Sequence, residues 1–264
     1  MKTYFFRDVY SIFLKEMKDF LKDKSQVFMT ISQPIIWLVL MGFGMSGLTS
    51  NTSTTSMILD GAPNYITYLT PGIMIMTALY GGLYGGVTLL SDIRFGYIYK
   101  LLSSPISRSS IVFGKIIAAL LQTLLQVILV LLFSIILGVR YKTGLFGVLF
   151  ILIIAALFCS IMVSVSLMLS LKFKTHNAIY SLVSFITLPL MFTSSAMFPN
   201  MGMPDWLKII TYVNPITYAV EPIRKLVISN WNLSAIGLDI LVIFILAIIF
   251  VSLAIYSFNK KYNK

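Results

Sequence analysis

The sequence predicts an all-α membrane protein with six transmembrane helices, an amphipathic N-terminal interfacial helix, and a re-entrant outer hairpin between helices five and six. Three observations carry this. Of the 264 residues, 58% are hydrophobic and only 11% charged, with a mean hydropathy of +0.92, against roughly 25% charged in soluble domains. The charges cut the chain into six charge-free runs, 25–59, 61–91, 116–139, 143–171, 177–204 and 240–259. Each holds the roughly 20 apolar residues, about 30 Å of helix, that cross a bilayer. The runs do not alternate, and a backbone in lipid must satisfy its own hydrogen bonds, so they suit helices rather than barrel strands.

Along the chain, residues 1–25 read as the interfacial helix. Phe6, Val9, Tyr10, Phe13, Met17 and Phe20 follow helical spacing, while Arg7, Lys15, Lys18 and Lys22 face elsewhere, toward anionic headgroups. The spans fall at 26–48, 65–90, 112–138, 145–170, 178–198 and 235–257. Between the first two, residues 49–64 form a loop of turn-forming polar residues, SNTSTTS and then Gly61-Ala62-Pro63. The second span carries Gly81, Gly82, Gly85 and Gly86, two overlapping small-xxx-small pairs that let another backbone approach closely. Residues 199–233 are apolar in patches but broken by Pro204, Pro215 and Pro222 and by five charges. No piece there reaches spanning length, so the segment reads as a re-entrant or interfacial hairpin.

Charge asymmetry orients the bundle. Segments 1–25, 91–115, 171–177 and 258–264 carry 15 Lys/Arg, against 5 in the segments on the other side. The first set is therefore expected to be cytoplasmic, with both termini inside. An even number of spans gives the same answer. The net charge of +11 is then an orientation signal, with no nucleic-acid partner implied. The N-terminus lacks the apolar core of a secretory signal. The single Cys159 allows no intramolecular disulfide and reads as a small packing residue.

Several chemistries lack their residues. No phosphate loop of the form G-x-x-x-x-G-K-[ST] occurs, and Gly114-Lys115 has neither the preceding glycine nor the following hydroxyl. His176 is the only histidine, so side chains offer no metal or bis-histidine haem site; it reads as a solvated loop residue. No acid lies in the middle of a span, which disfavours proton or sodium coupling through an intramembrane carboxylate. No catalytic residue and no cofactor is assigned to the chain.

A structured polar segment, residues 91–108, interrupts the apolar runs on the inside. Gly96 precedes the short amphipathic pattern Tyr97–Leu102, and Pro105 stops it. From the residues alone this is as well read as a solvated connecting loop. The run Asp92-Ile93-Arg94-Phe95-Gly96-Tyr97-Ile98-Tyr99-Lys100-Leu101-Leu102-Ser103-Ser104-Pro105-Ile106-Ser107-Arg108, however, resembles the inside-loop motif of type-2 ABC exporter permeases. It is most similar to the daunorubicin-resistance and nodulation-factor branch, whose pattern is roughly D-R-E-F-G-F-L-K-x-x-L-x-x-P-x-S-R. A second stretch resembles the family's fifth span and outer hairpin, typically ending N-P-L-T-Y-x-V-x-x-x-R. It runs through Leu188-Pro189-Leu190, Ala196-Met197-Phe198-Pro199, Pro204-Asp205-Trp206-Leu207 and Asn214-Pro215-Ile216-Thr217-Tyr218-Ala219-Val220, and ends at Arg224.

The resemblance implies a membrane subunit without its own ATP site, working as a pair of copies with two ATP-binding subunits that hold ATP and Mg. It would export an amphiphilic drug, lipid or lipid-linked glycan across a prokaryotic cell membrane. Asp92, Arg94, Gly96, Tyr97, Leu101, Pro105 and Arg108 would couple it to the ATPase. Arg94 stands where the family commonly has Glu, so the partner surface is expected to compensate for a reversed charge. Phe198, Pro199, Trp206, Asn214, Pro215, Tyr218 and Arg224 would form the outer hairpin or gate. Tyr80, Tyr84, Met191, Phe192 and Met197 offer aromatic and adaptable apolar surface for a substrate path, and equally for packing against helices or lipid. A carrier or channel running on ion gradients is the alternative reading.

Overall fold

The computed structural model describes residues 5–46 and 59–262. The polar stretch SNTSTTS lies outside the described residues, as do residues 1–4 and the last two of the basic tail. The described chain is helical throughout: α1 (Phe5–Lys22), α2 (Lys24–Gly44), α3 (Tyr65–Arg94), α4 (Tyr97–Leu102), α5 (Arg108–Ile136), α6 (Gly144–Lys172), α7 (His176–Phe192), α8 (Asp205–Val213), α9 (Pro215–Ile228) and α10 (Leu233–Tyr262). Side-chain caps set several starts: Asp23, Asn64, Ser107 and Thr175 each accept a backbone N–H three residues on.

Among the described residues, five helices are long and apolar enough to cross a membrane: α2, α3, α5, α6 and residues 234–262 of α10. The fifth expected span, 178–198, is the shorter α7, whose 17 residues extend about 25 Å. It ends at Phe192 because the chain then turns inward. Ser194, Ser195, Ala196 and Met197 are buried as irregular backbone, so Met197 lies beyond the helix rather than in it. That backbone is satisfied from neighbouring side chains. The Tyr65 hydroxyl donates to the Met197 carbonyl (2.9 Å), and the Tyr68 hydroxyl to that of Ser195 (3.0 Å). Non-helical chain is tolerated at membrane depth only under such cover.

The core is built around α3. Every residue from Tyr65 to Leu79 is buried, as expected of a helix that is apolar on all sides. Its second half packs by glycine. A Cβ on Gly81 would meet Thr123 Oγ1 of α5 at 2.2 Å, and one on Gly85 would meet the Ala119 Cβ at 2.6 Å. On the adjacent face, a Cβ on Gly82 would meet the Cys159 carbonyl oxygen of α6 at 2.9 Å, and one on Gly86 the Ser166 Cβ at 2.4 Å. The two small-residue pairs thus serve two different neighbours. Cys159 packs in this seam, buried, its thiol 3.3 Å from Thr123 Oγ1.

The N-terminal helix differs from its expected disposition. The face of α1 turned to the protein is Asp8, Val9, Ile12 and Glu16. It meets α5 where a Cβ on Gly114 would strike Ile12 at 2.7 Å. Phe6 and Tyr10 are exposed. Lys15, expected on the outward basic face, is instead turned toward the carboxylates of Glu16 in α1 and Asp92 in α3. His176 also departs from a solvated loop: it opens α7, with Nε2 3.4 Å from Ser91 Oγ and its ring stacked near Tyr180.

Gly86→Ala should lower stability by about 1–3 kcal/mol, because the new methyl meets backbone that cannot retreat. Gly237→Ala in α10 has open space around it and should be neutral or slightly stabilising. Thermal unfolding of both variants in one detergent checks the contrast.

Candidate functional site

The residues expected to act gather at three places. At the basic end of the bundle, α3 continues to Arg94, so Asp92 and Arg94 belong to its last turn rather than to a loop. Phe95 caps it, and Gly96, at φ +76°, reverses the chain into α4. That left-handed conformation suits glycine because it has no Cβ. Ile98 and Leu101 bury the inner face of α4. Arg94, Phe95, Tyr99, Lys100 and Pro105 are exposed, and Arg108 begins α5 half-buried. Arg94 makes no ion pair among the described residues.

Asp92 does not share that surface. It is 7% exposed and forms a buried four-charge cluster. Lys15 Nζ lies 2.8 Å from its Oδ1, and Lys115 Nζ lies 2.6 Å from its Oδ2, off the hydrogen-bonding direction. The same two ammoniums reach Glu16 Oε1 at 3.0 and 2.8 Å. Lys115 also donates to Thr88 Oγ1 at 3.1 Å, and Lys15 sits 4.8 Å over the Tyr97 ring. The cluster therefore ties α1, α3 and α5 to the first residue of α4. Glu16 and Lys115 had gone unread in the sequence. Their signal was an acid on the Val9–Ile12 face of α1 and a lysine one residue before an apolar run.

Burial raises the Glu16 pKa, but Lys115 and Lys15 outweigh it and hold the carboxyl below its ordinary value. Burial lowers the Lys15 pKa, and Glu16 and Asp92 more than reverse that. The depressed acid stabilises the fold above the ordinary carboxylate value of 4.5 and loses that contribution as pH falls. The raised base stabilises below 10.5 and loses its contribution as pH rises beyond its folded value.

The second place is a cavity of about 510 Å³ between α2, α3, α5 and α7. Tyr80, Tyr84, Met191 and Met197 line it, whereas Phe192 does not. Phe192 lies at the surface, stacked on Phe198 at 6.1 Å. Tyr80 and Tyr84 stack at 6.1 Å, and Tyr180 joins them at 5.8 Å from Tyr84. Four glutamines (Gln26, Gln33, Gln122 and Gln126) and Trp37, absent from the expected set, line it too.

The third place is the opposite end. Asn214 closes α8 and caps α9: its Oδ1 accepts from the Ile216 N–H at 2.9 Å, while its Nδ2 donates to the Leu190 carbonyl at 2.7 Å. Pro215 takes the first helical position of α9, where its missing N–H costs nothing. Arg224 is 2% exposed. It pairs with Glu221 at 2.7 Å, donates to the Ser195 carbonyl, and lies 3.9 Å over the Tyr68 ring. It thus pins α9 to the irregular segment after α7. Asp60, 3.9 Å from the guanidinium, is raised by burial more than Arg224 lowers it. Trp206 is exposed on α8, Phe198 is at the margin of exposure, and Pro199 and Tyr218 are half-buried.

Lys115→Met should cost about 3–5 kcal/mol, since it leaves two buried carboxylates on one shared cation. Asp19→Asn, which removes only the exposed partner of Lys15, should cost under about 1 kcal/mol. Thermal unfolding should be nearly flat from about pH 6 to about pH 9 and drop as pH falls below the carboxylate range. The drop should flatten in Glu16→Gln.

Comparison with known proteins identifies relatives over most of the chain. The profile of the ABC-2 type transporter family matches residues 7–228. A relative from Cyanophora paradoxa, named transport permease ycf38, is 34% identical over 219 residues, covering 78% of this chain and 69% of its own. The Streptomyces coeruleorubidus daunorubicin resistance ABC transporter permease protein DrrB1 is 20% identical over 231 residues, covering 88% and 78%. The Mycobacterium tuberculosis protein named for doxorubicin resistance, DrrC, is 21% identical over 203 residues, covering 77% and 70%. Apolar helices long enough to span and a matching profile over most of the chain converge. The chain is a multi-pass membrane protein and belongs to the ABC-2 type transporter family, the membrane subunits that work with an ABC ATP-binding partner.

Proposed function

We propose that two copies of this chain and two ATP-binding subunits form an exporter for an amphiphilic drug, lipid or lipid-linked glycan. In this reading α7 completes a set of six spans, both termini are cytoplasmic, and the membrane is that of a prokaryotic cell. The pair α8 and α9 re-enters the outer leaflet as a gate. ATP and Mg sit on the partner.

One observation carries the reading. A short helix, α4, presents Tyr99 and Lys100 outward between the exposed Phe95 and Pro105, while a buried charge cluster locks its base to the bundle. An exposed surface on a rigid mount transmits force, and a solvated loop has no need of the mount. Motion imposed on α4 passes through Tyr97 and Asp92 into α3, the helix that packs against α5 and α6 and lines the cavity. The relatives named for daunorubicin and doxorubicin resistance support an exported amphiphile.

The purified chain alone should hydrolyse no ATP, whereas the complex should. Gly96→Val should weaken ATPase association or uncouple transport. No atom would clash there, but a β-branched residue at positive φ costs about 1–2 kcal/mol, which re-aims α4. Arg94→Glu should weaken association at low salt, and a compensating reversal on the ATPase should restore it. Phosphate release reads the first outcome, and co-purification and vesicle transport read the other two. Unchanged association and transport in Gly96→Val would overturn the coupling role, and ATP-independent transport would favour a gradient-driven carrier.

A further inference from the structure

The cavity wall has a chemistry that its placement alone does not explain. No Asp, Glu, Lys, Arg or His among the described residues lines it, yet it is far from purely apolar. Gln122 and Gln126, one turn apart on α5, and Gln33 on α2 all face it. Gln126 is 6% exposed, and its amide makes no hydrogen bond among the described residues. Gln122 and Gln33 have none either. Of the three, Gln126 is buried, Gln122 half-buried and Gln33 exposed at the cavity's rim. Gln126 is one turn from Thr123, which abuts Gly81 in the middle of α3.

Each amide offers two donors and one acceptor. An unpaired polar group that deep costs free energy unless something pairs it. The neighbouring Tyr80–Tyr84 stack adds a flat aromatic wall. Amide donors and acceptors, an aromatic face and no fixed charge suit a ring carrying hydroxyls, and give neither a cation nor an anion a counter-charge.

We propose that this cavity binds an amphiphile through an uncharged, hydroxyl-bearing headgroup of the sugar type, with Gln126 as the residue that selects for it. This rests on the export reading for its biological sense, but binding by the isolated chain does not require it.

Trp37 lines the cavity and serves as the reporter once Trp206→Phe and Trp231→Phe remove the other two tryptophans. The protein in neutral-lipid nanodiscs is titrated with octyl glucoside, octyltrimethylammonium and octyl sulfate below their micellar concentrations. Octyl glucoside should saturate the Trp37 signal at a concentration at least tenfold below either charged probe, after subtraction of their partition into protein-free discs. Gln126→Leu should weaken glucoside binding about tenfold, the loss expected when a buried hydrogen-bonding group no longer meets its partner. Gln126→Glu should instead strengthen octyltrimethylammonium binding, a gain that a misfolded protein cannot show.

Equal saturation by the three probes, or Gln126→Leu binding glucoside as tightly as the parent, would overturn the proposal. The two readings fail separately. Head-group-selective binding by a chain that never associates with an ATPase would overturn the export reading and keep this one. ATP-driven transport with indifferent binding would do the reverse.

Discussion

The close approach of α3 to α5 and α6 is the constraint on which the rest depends. In lipid no hydrophobic force draws helices together, so association relies on packing and on hydrogen bonds between backbones held near one another. Here Gly82 and Gly86 bring α3 against α6, and Gly81 and Gly85 bring it against α5. At that separation side-chain hydroxyls reach across the seam. Ser170 donates to the Gly86 carbonyl at 3.1 Å, and Ser166 donates to that of Leu83. The cavity, the mount of α4 and the cover over the segment after α7 all use α3 as their common wall.

Both ends of α3 are fixed by charge, in different ways. At one end Asp92 shares two cations with Glu16, and four alternating charges satisfy one another in a small volume. At the other, Arg224 divides its donors between Glu221 and a backbone carbonyl, and its face lies on Tyr68. A lysine and an arginine are not interchangeable here: the planar guanidinium stacks and forks, whereas the ammonium gathers carboxylates around a point. Buried clusters of this kind contribute little net stability but strongly penalise any arrangement that separates the partners. They make α3 a rod whose ends report on α1, α4 and α9.

Much of this was legible beforehand. The order and type of the helices follow from charge-free runs, because only helices satisfy a backbone in lipid. Gly96 and Pro105 bounded α4 correctly, since positive φ and a missing N–H are local properties. The glycine pairs announced close packing. The structure also places four of the five substrate-path residues on one cavity. Phe192 misses it because α7 ends there and turns its last ring outward onto Phe198.

The sequence by itself determined that the chain crosses the membrane in helices, where those helices lie, and which short segment stands clear of them. Composition, charge spacing and local backbone preference suffice for that. Only the tertiary structure decided that Asp92 is buried among cations rather than displayed, that Lys15 turns inward, and that unpaired glutamines converge on one cavity. Those outcomes depend on which residues, 77 and 99 positions apart for Lys15–Asp92 and Glu16–Lys115, are brought within hydrogen-bond reach. A charge or an amide in a sequence carries no record of the partner that will neutralise it or of the space left beside it.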